Sequence, residues 1–198
     1  VKTIDYYLFP QSPYAYMGHD RLVTMAAKAG TQIRIKPMDA AKVFPVSGGL
    51  PLPKRAPQRV AYRMIELKRW RDYLGLPMHV EPAFFPVAGD SAGRLISVAT
   101  GVDPAKAVTL AGEILKCVWE RQENIADDAV LARCAVAAGL DGSAMLAASK
   151  EPAAQDAYDK ATQDAIDAQI FGAPSYVFNG ELFWGQDRLD FLERALKA

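Results

Sequence analysis

The chain has 198 residues, enough for one domain, or one domain with a large insertion, and enough to bury a core without disulfide or metal staples. Its 23 basic and 23 acidic residues balance to a formal charge of zero, so neither a nucleic-acid backbone nor an anionic lipid surface is favoured as partner. No run of about 18 apolar residues occurs, so no membrane span is expected.

The opening residues lead directly into a strand pattern, with no secretory apolar stretch. Cys117 and Cys134 are the only cysteines, outside any CxxC. Buried thiols of a cytoplasmic protein are the favoured reading, and a disulfide the less favoured one. His19 and His79 are solitary, and no spacing supports a metal site.

In chain order, Ile4, Tyr6 and Leu8 alternate with positions that are themselves largely apolar, which predicts a central strand covered on both faces. Pro10-Gln11 breaks it. Ser12 caps a helix with Pro13 in its first turn, and Gly30 ends that helix. Residues 31 to 38 read as a second strand, limited by Pro37 to an edge or an end. Residues 43 to 57, with two glycines and four prolines, read as a long loop of the kind that often carries function. A helix over 58 to 73, with Tyr62, Ile65 and Leu67 among Arg59, Arg63, Lys68, Arg69 and Arg71, follows, then an irregular stretch to Gly89.

A helical block comes next. It has a helix over 91 to 100, a strong one opened by Asp103-Pro104, and one over 127 to 138 ending at Gly139. A short helix from Asp141 precedes a long one from Pro152 to about Gln169. Ser175 to Phe178 and Leu182 to Trp184 are strands joined by a type I′ turn at Asn179-Gly180, and a last helix follows Gly185-Gln186-Asp187. The expected fold class is therefore α/β, a thioredoxin-like βαβ…ββα domain (1–40 and 170–198, with a flanking helix from about 152) split by an all-helical insertion (41–151).

Ser12-Pro13-Tyr14-Ala15 stands where thioredoxin-superfamily disulfide oxidoreductases carry Cys-Pro-x-Cys. Both cysteines are missing here, so dithiol redox chemistry is excluded at this position. The stretches Leu8-Phe9-Pro10-Gln11-Ser12-Pro13-Tyr14-Ala15-Tyr16, Glu66-Leu67-Lys68-Arg69-Trp70, Phe171-Gly172-Ala173-Pro174 and Trp184-Gly185-Gln186-Asp187-Arg188-Leu189 are fairly specific when taken together in this order. With them the chain resembles, over essentially its whole length, the 2-hydroxychromene-2-carboxylate isomerases and their relatives, the kappa-class glutathione transferases.

The resemblance implies a glutathione-dependent isomerisation in aromatic-hydrocarbon catabolism, of the kind met in naphthalene degradation. It also implies a homodimer, with a small aromatic carboxylate as substrate. Ser12 is implied to lie beside the glutathione sulfur, as the catalytic residue. Independently of any family, a helix N-terminus stabilises a thiolate, although Ser12 read alone is a simple N-cap. Pro174 is implied to be cis, with Ala173 pairing its backbone with the peptide, where the residues alone favour trans. Asp187 is implied to hold the γ-glutamyl ammonium with help from Gln186, while on sequence alone it is another N-cap. Arg59 matches a lysine that contacts a glutathione carboxylate, and alone it reads as a solvated helix charge.

Gly48-Gly49-Leu50 departs from the family's usual Gly-Asn, so that polar contact is missing or made by backbone, with Lys54 and Arg55 as nearby candidates to replace it. Phe44, Phe84, Phe85 and Trp184 are candidates for an apolar pocket over the sulfur, with Lys42 or Arg55 for the substrate carboxylate. A glutathione transferase and a non-catalytic thioredoxin-like binding module are the alternatives.

Overall fold

The computed structural model describes residues 2–197, and the expected domain limits at residues 1 and 198 lie outside the described residues. Four strands, β1 (Thr3–Leu8), β2 (Gln32–Pro37), β3 (Ser175–Phe178) and β4 (Glu181–Trp184), form one sheet in the order β2-β1-β3-β4. β1 runs parallel to β2, with Tyr6 opposite Ile35, and antiparallel to β3, with Tyr6 opposite Tyr176. It is the doubly covered central strand that its apolar residues at both parities predict. Ile4, Tyr6 and Leu8 enter a large core, whereas Tyr7 and the following Phe9 enter a smaller one on the other face. Pro37 closes β2 at the sheet edge, where a missing N–H costs no ladder bond. Asn179 and Gly180 both have positive φ (51° and 81°), as the I′ turn between β3 and β4 requires.

Helix α1 (Pro13–Lys28) joins the parallel pair. Between β2 and β3 come α2 (Ala40–Ser47), α3 (Pro57–Leu74), α4 (Asp90–Val102), α5 (Pro104–Trp119), α6 (Asp128–Ala137), α7 (Gly142–Ser149) and α8 (Pro152–Asp167), and α9 (Leu189–Lys197) follows β4. The large core runs without a break from Ile4 and Tyr6 through Leu22 of α1 and Leu192 of α9 to Leu95, Leu110, Trp119 and Leu131 of α4, α5 and α6. The smaller core is closed by Val43 and Phe44 of α2 and by Ala165 and Ile166 of α8. This is a thioredoxin-like α/β fold with a helical block inserted in the sheet unit. No helix among the described residues is long and apolar enough to cross a membrane.

One expectation is corrected. The first part of the long loop over 43 to 57 is helical, since α2 occupies 40–47 and a short 3-10 turn occupies 52–54. Asp39 caps α2 by accepting the Ala41 N–H (2.8 Å), and Val43 is fully buried. Cap and burial together outweigh the one helical bond that Pro45 cannot make. In α3, Tyr62 and Ile65 are 56% and 47% exposed. The inward row is instead Arg63, Leu67, Trp70 and Leu74, an arginine followed by apolar residues at helical spacing.

Cys117 and Cys134 are free and buried, as expected, yet they meet across the α5–α6 contact with Sγ atoms 3.2 Å apart. Arg121 donates to Cys117 Sγ (3.0 Å), and the Cys117 thiol reaches Glu123 (3.0 Å). The contact with Cys134, followed by burial, pushes the Cys117 thiol up, and the same contact lowers Cys134. Both thiols are expected to stay silent to Ellman's reagent in the native protein and to titrate fully in guanidinium. Fast labelling of the native protein would mean that the α5–α6 contact opens.

Candidate active site

The site begins where β1 ends. Ser12 turns the chain after Phe9, its N–H donating to the Phe9 carbonyl (2.9 Å), and its backbone is extended (φ −74°, ψ 124°), as an N-cap requires. Ser12 Oγ accepts the Ala15 N–H at 3.1 Å, and the Ser12 carbonyl accepts the Tyr16 N–H at 3.1 Å. Pro13 has no N–H, so the Tyr14 N–H is the first-turn donor left without an acceptor among the described residues. The Ser12 hydroxyl proton is also uncommitted. A buried serine with a free O–H, a free backbone N–H and the positive end of a sixteen-residue helix is a place to hold a thiolate.

The second motif lies alongside. Tyr7 of β1 is opposite Ser175 of β3, so the 172–175 turn abuts the end of β1 from which the Ser12 turn springs. The Ala173–Pro174 bond is cis, as the family resemblance implies and the residues alone do not. Ser175 Oγ donates to the Gly172 carbonyl (2.8 Å), and Gly185 N–H donates to the Pro174 carbonyl (2.9 Å), which fixes the turn from both sides. Ala173 makes no backbone hydrogen bond among the described residues, so its N–H and C=O are available to an added strand. Its side chain packs into the smaller core with Phe9 and Phe44. Gly172 is required: a methyl there would lie 2.6 Å from the Trp184 indole nitrogen.

The other expected residues sort themselves by their partners. Asp187 is partly exposed and, among the described residues, paired only with its neighbour Arg188 (2.8 Å). Gln186 is buried, and both its side-chain oxygen and its carbonyl accept from the Arg21 guanidinium, so it anchors the 186–188 turn to α1. Only its amide nitrogen and backbone N–H remain for a ligand. Arg59 stands exposed in the first turn of α3 with no carboxylate partner among the described residues. Lys42 is taken by Asp159 (2.7 Å), whereas Arg55 donates its Nε to the Leu50 carbonyl (2.8 Å) and keeps the rest of its fork.

Gly49 lies against Phe44, where a Cβ would come within 2.3 Å of the ring, so no asparagine fits in its place. Phe44 meets Phe9 edge-on (5.3 Å) and Trp184 meets Phe171 edge-on (4.9 Å); Trp184 and Phe84 are about half exposed, whereas Phe85 packs inward on Trp119 at a tilt (4.9 Å).

Three residues of the site were not singled out from the sequence. Tyr14 donates its phenol to Glu66 (2.8 Å), tying the Ser12 turn to α3. Burial and that bond push the Tyr14 phenol well above its ordinary range, so it remains a neutral donor. The third is Arg63, which lies buried with its guanidinium 5.4 Å above the Phe85 ring. The sequence signal that finds it is an arginine in register with the apolar row Leu67, Trp70 and Leu74.

A cis-proline turn beside a capped helix start, on this sheet, defines a thioredoxin-like protein, and the family model for a DSBA-like thioredoxin domain matches residues 3–197. A relative from Sphingobium xenophagum, named 2-hydroxychromene-2-carboxylate isomerase, is 32% identical over 98% of both chains. One of the same name from Pseudomonas putida is 30% identical over 98% of this chain and 93% of its own. A solved structure of a 2-hydroxychromene-2-carboxylate isomerase superposes with a TM-score of 0.83 at 28% identity, over 98% of this chain and 94% of that one. The chain belongs to the 2-hydroxychromene-2-carboxylate isomerase family, a branch of the DSBA-like thioredoxin domains, and is an isomerase.

Proposed function

We propose that this isomerase uses glutathione as a recycled nucleophile to interconvert 2-hydroxychromene-2-carboxylate and trans-o-hydroxybenzylidenepyruvate, a step in aromatic-hydrocarbon catabolism. The observation that carries the reading is the pairing of a thiolate-stabilising helix start at Ser12 with a cis-proline turn whose Ala173 backbone is free. The cysteinyl unit of the tripeptide would add as a strand to Ala173, which brings its sulfur toward the Ser12 hydroxyl and the Tyr14 N–H. Asp187 would take the γ-glutamyl ammonium, and Arg59 a carboxylate.

In the reaction the hemiketal ring opens first: its ring C–O bond breaks, the hydroxyl-bearing carbon becomes the keto group, and the hydroxyl proton passes to the phenolic oxygen. The thiolate then adds to the benzylic carbon of the conjugated ketone. A carbon–sulfur bond forms, and the electron pair of the double bond moves to the keto oxygen as an enolate. The former double bond then rotates as a single bond. The enolate collapses, expels the thiolate and restores the double bond in the other geometry. No atom is gained or lost, so glutathione is not consumed.

The test is to follow the ultraviolet spectrum of 2-hydroxychromene-2-carboxylate with the protein, with and without glutathione. Equilibration that needs glutathione and leaves its concentration unchanged is expected. Stoichiometric loss of free glutathione would make the protein a transferase, and equal rates without glutathione would remove the thiol from the mechanism.

A further inference from the structure

Among the described residues Arg63 has no carboxylate to pair with. It is 9% exposed, and the one hydrogen bond it makes there is a long contact to Met64 Sδ (3.9 Å). A structural buried arginine spends its five N–H donors on carbonyls and carboxylates. This one spends almost none, and its unpartnered nitrogens are not sealed from solvent, so the guanidinium keeps an open edge on an otherwise buried side chain. Nor is it alone: Arg55 just before α3, Arg59 in its first turn and Arg63 one turn on form a row of cations, none in an ion pair among the described residues.

The surroundings say what the row is for. Arg63 lies over the Phe85 ring, and Phe85 in turn packs on the fully buried Trp119, so the guanidinium borders an aromatic wall. The charges of Arg63 and Arg55 are both felt at the Tyr14 phenol, two residues beyond Ser12, so the row adjoins the thiol-holding turn. Glu66, the nearest acid on the same helix face, is occupied by the Tyr14 hydroxyl (2.8 Å).

We propose that Arg63, seconded by Arg55, is a binding residue for the carboxylate of an aromatic ligand, whose ring lies against Phe85. This deepens the isomerase reading and rests on it for the ligand's role in catalysis. The guanidinium fork takes the two carboxylate oxygens side by side, which Lys42, bound to Asp159, does not offer. The same chemistry is met by a carboxylate of the tripeptide thiol, and the test separates the two sources.

The experiment titrates the intact protein, without any thiol, with 2-hydroxycinnamate and with its methyl ester. The wild type is expected to bind the acid at least ten times more tightly than the ester. R63M should bind the two alike, and R63K should recover part of the preference. In parallel, glutathione and its glycyl ethyl ester are titrated. A preference for free glutathione that R63M abolishes, with no preference between acid and ester of the cinnamate, assigns the anchor to the peptide. An undiminished preference in R63M for both pairs, or none in the wild type for either, overturns the proposal.

Thermal melting guards against a merely structural role. R63M removes an unpaired buried charge and keeps a side chain over Phe85, so its melting temperature should equal or exceed that of the wild type. A drop of several degrees with the ligand preferences intact would make Arg63 part of the scaffold. Because the cinnamate arm uses no thiol, it stands whether or not turnover depends on glutathione.

Discussion

Ser12→Ala is expected to lower glutathione-dependent turnover by about a hundredfold, the effect of removing one donor aimed at a developing charge. The Ser12 hydroxyl accepts the Ala15 N–H and keeps its own proton, so it can cap the helix and donate to sulfur at once. Alanine removes both roles. The cap loss costs about 1 kcal/mol of stability, which leaves the protein folded. The donor loss raises the pKa of bound glutathione, which the thiolate absorbance near the ultraviolet edge reports directly. Turnover in Ser12→Ala should therefore recover partly as pH rises, because more of the thiol ionises without help. Ser12→Cys offers a contrast: it restores neither cysteine pair nor dithiol chemistry, since Ala15 holds the second position. Turnover in Ser12→Ala equal to wild type across the pH range would remove Ser12 from the mechanism. A uniform fall without a pKa change would make it a positioning residue for the peptide.

What could be read from the sequence was local. The caps at Ser12, Asp103, Asp127 and Asp141 each accept a backbone N–H within three residues, so residue type and spacing suffice to find them. The central strand was legible because its odd positions, Tyr7 and Phe9, are as apolar as its even ones. α2 was hidden because Pro45 and the following glycines read as breakers, while its stability comes from Val43 and Phe44 joining Phe9 and Ala165 in the smaller core on one face of the sheet. Arg63 was hidden for a related reason: a stripe counted by hydrophobicity passes over a buried cation, and Phe85 beneath it comes from an irregular segment with no period at all. The Cys117–Cys134 contact and the Arg21–Gln186 lock depend on how helices and turns far apart in sequence are set against each other. The cis state of Pro174 is a property of the assembled turn, and only the family resemblance anticipated it.

Acidification is expected to destabilise the fold through His19, the second large effect. His19 sits on the buried face of α1, its ring wedged against Gly112 of α5, where a methyl would lie 2.7 Å from Nε2. It is 5.8 Å from the Tyr6 ring, and its buried Nδ1 has no partner among the described residues. Burial lowers its pKa from 6.5 to about 4; Asp20 pulls it up, whereas Lys116 pushes it further down. The sign follows from proton counts. As pH falls through about 6.5 the unfolded chain takes up a proton at this histidine, while the folded chain does not until about 4. Stability from neutral His19 is therefore complete above about 6.5 and is lost progressively toward 4. A depression of that size amounts to about 3 kcal/mol, a large share of a typical domain's margin. Urea unfolding at pH 7.5, 5.5 and 4.5 measures the loss. His19→Gln, which fills similar space and does not titrate, should flatten the dependence between pH 6.5 and 4.5, with the carboxylates common to both proteins cancelling in the difference. Parallel curves for the two proteins would show that His19 protonates in place, and that the packing of α1 on α5 tolerates the charge. If the curves converge on acidification instead, then α1, the helix that carries Ser12, is held in its place by an imidazole that must stay neutral, and activity should fail in the same pH window as stability.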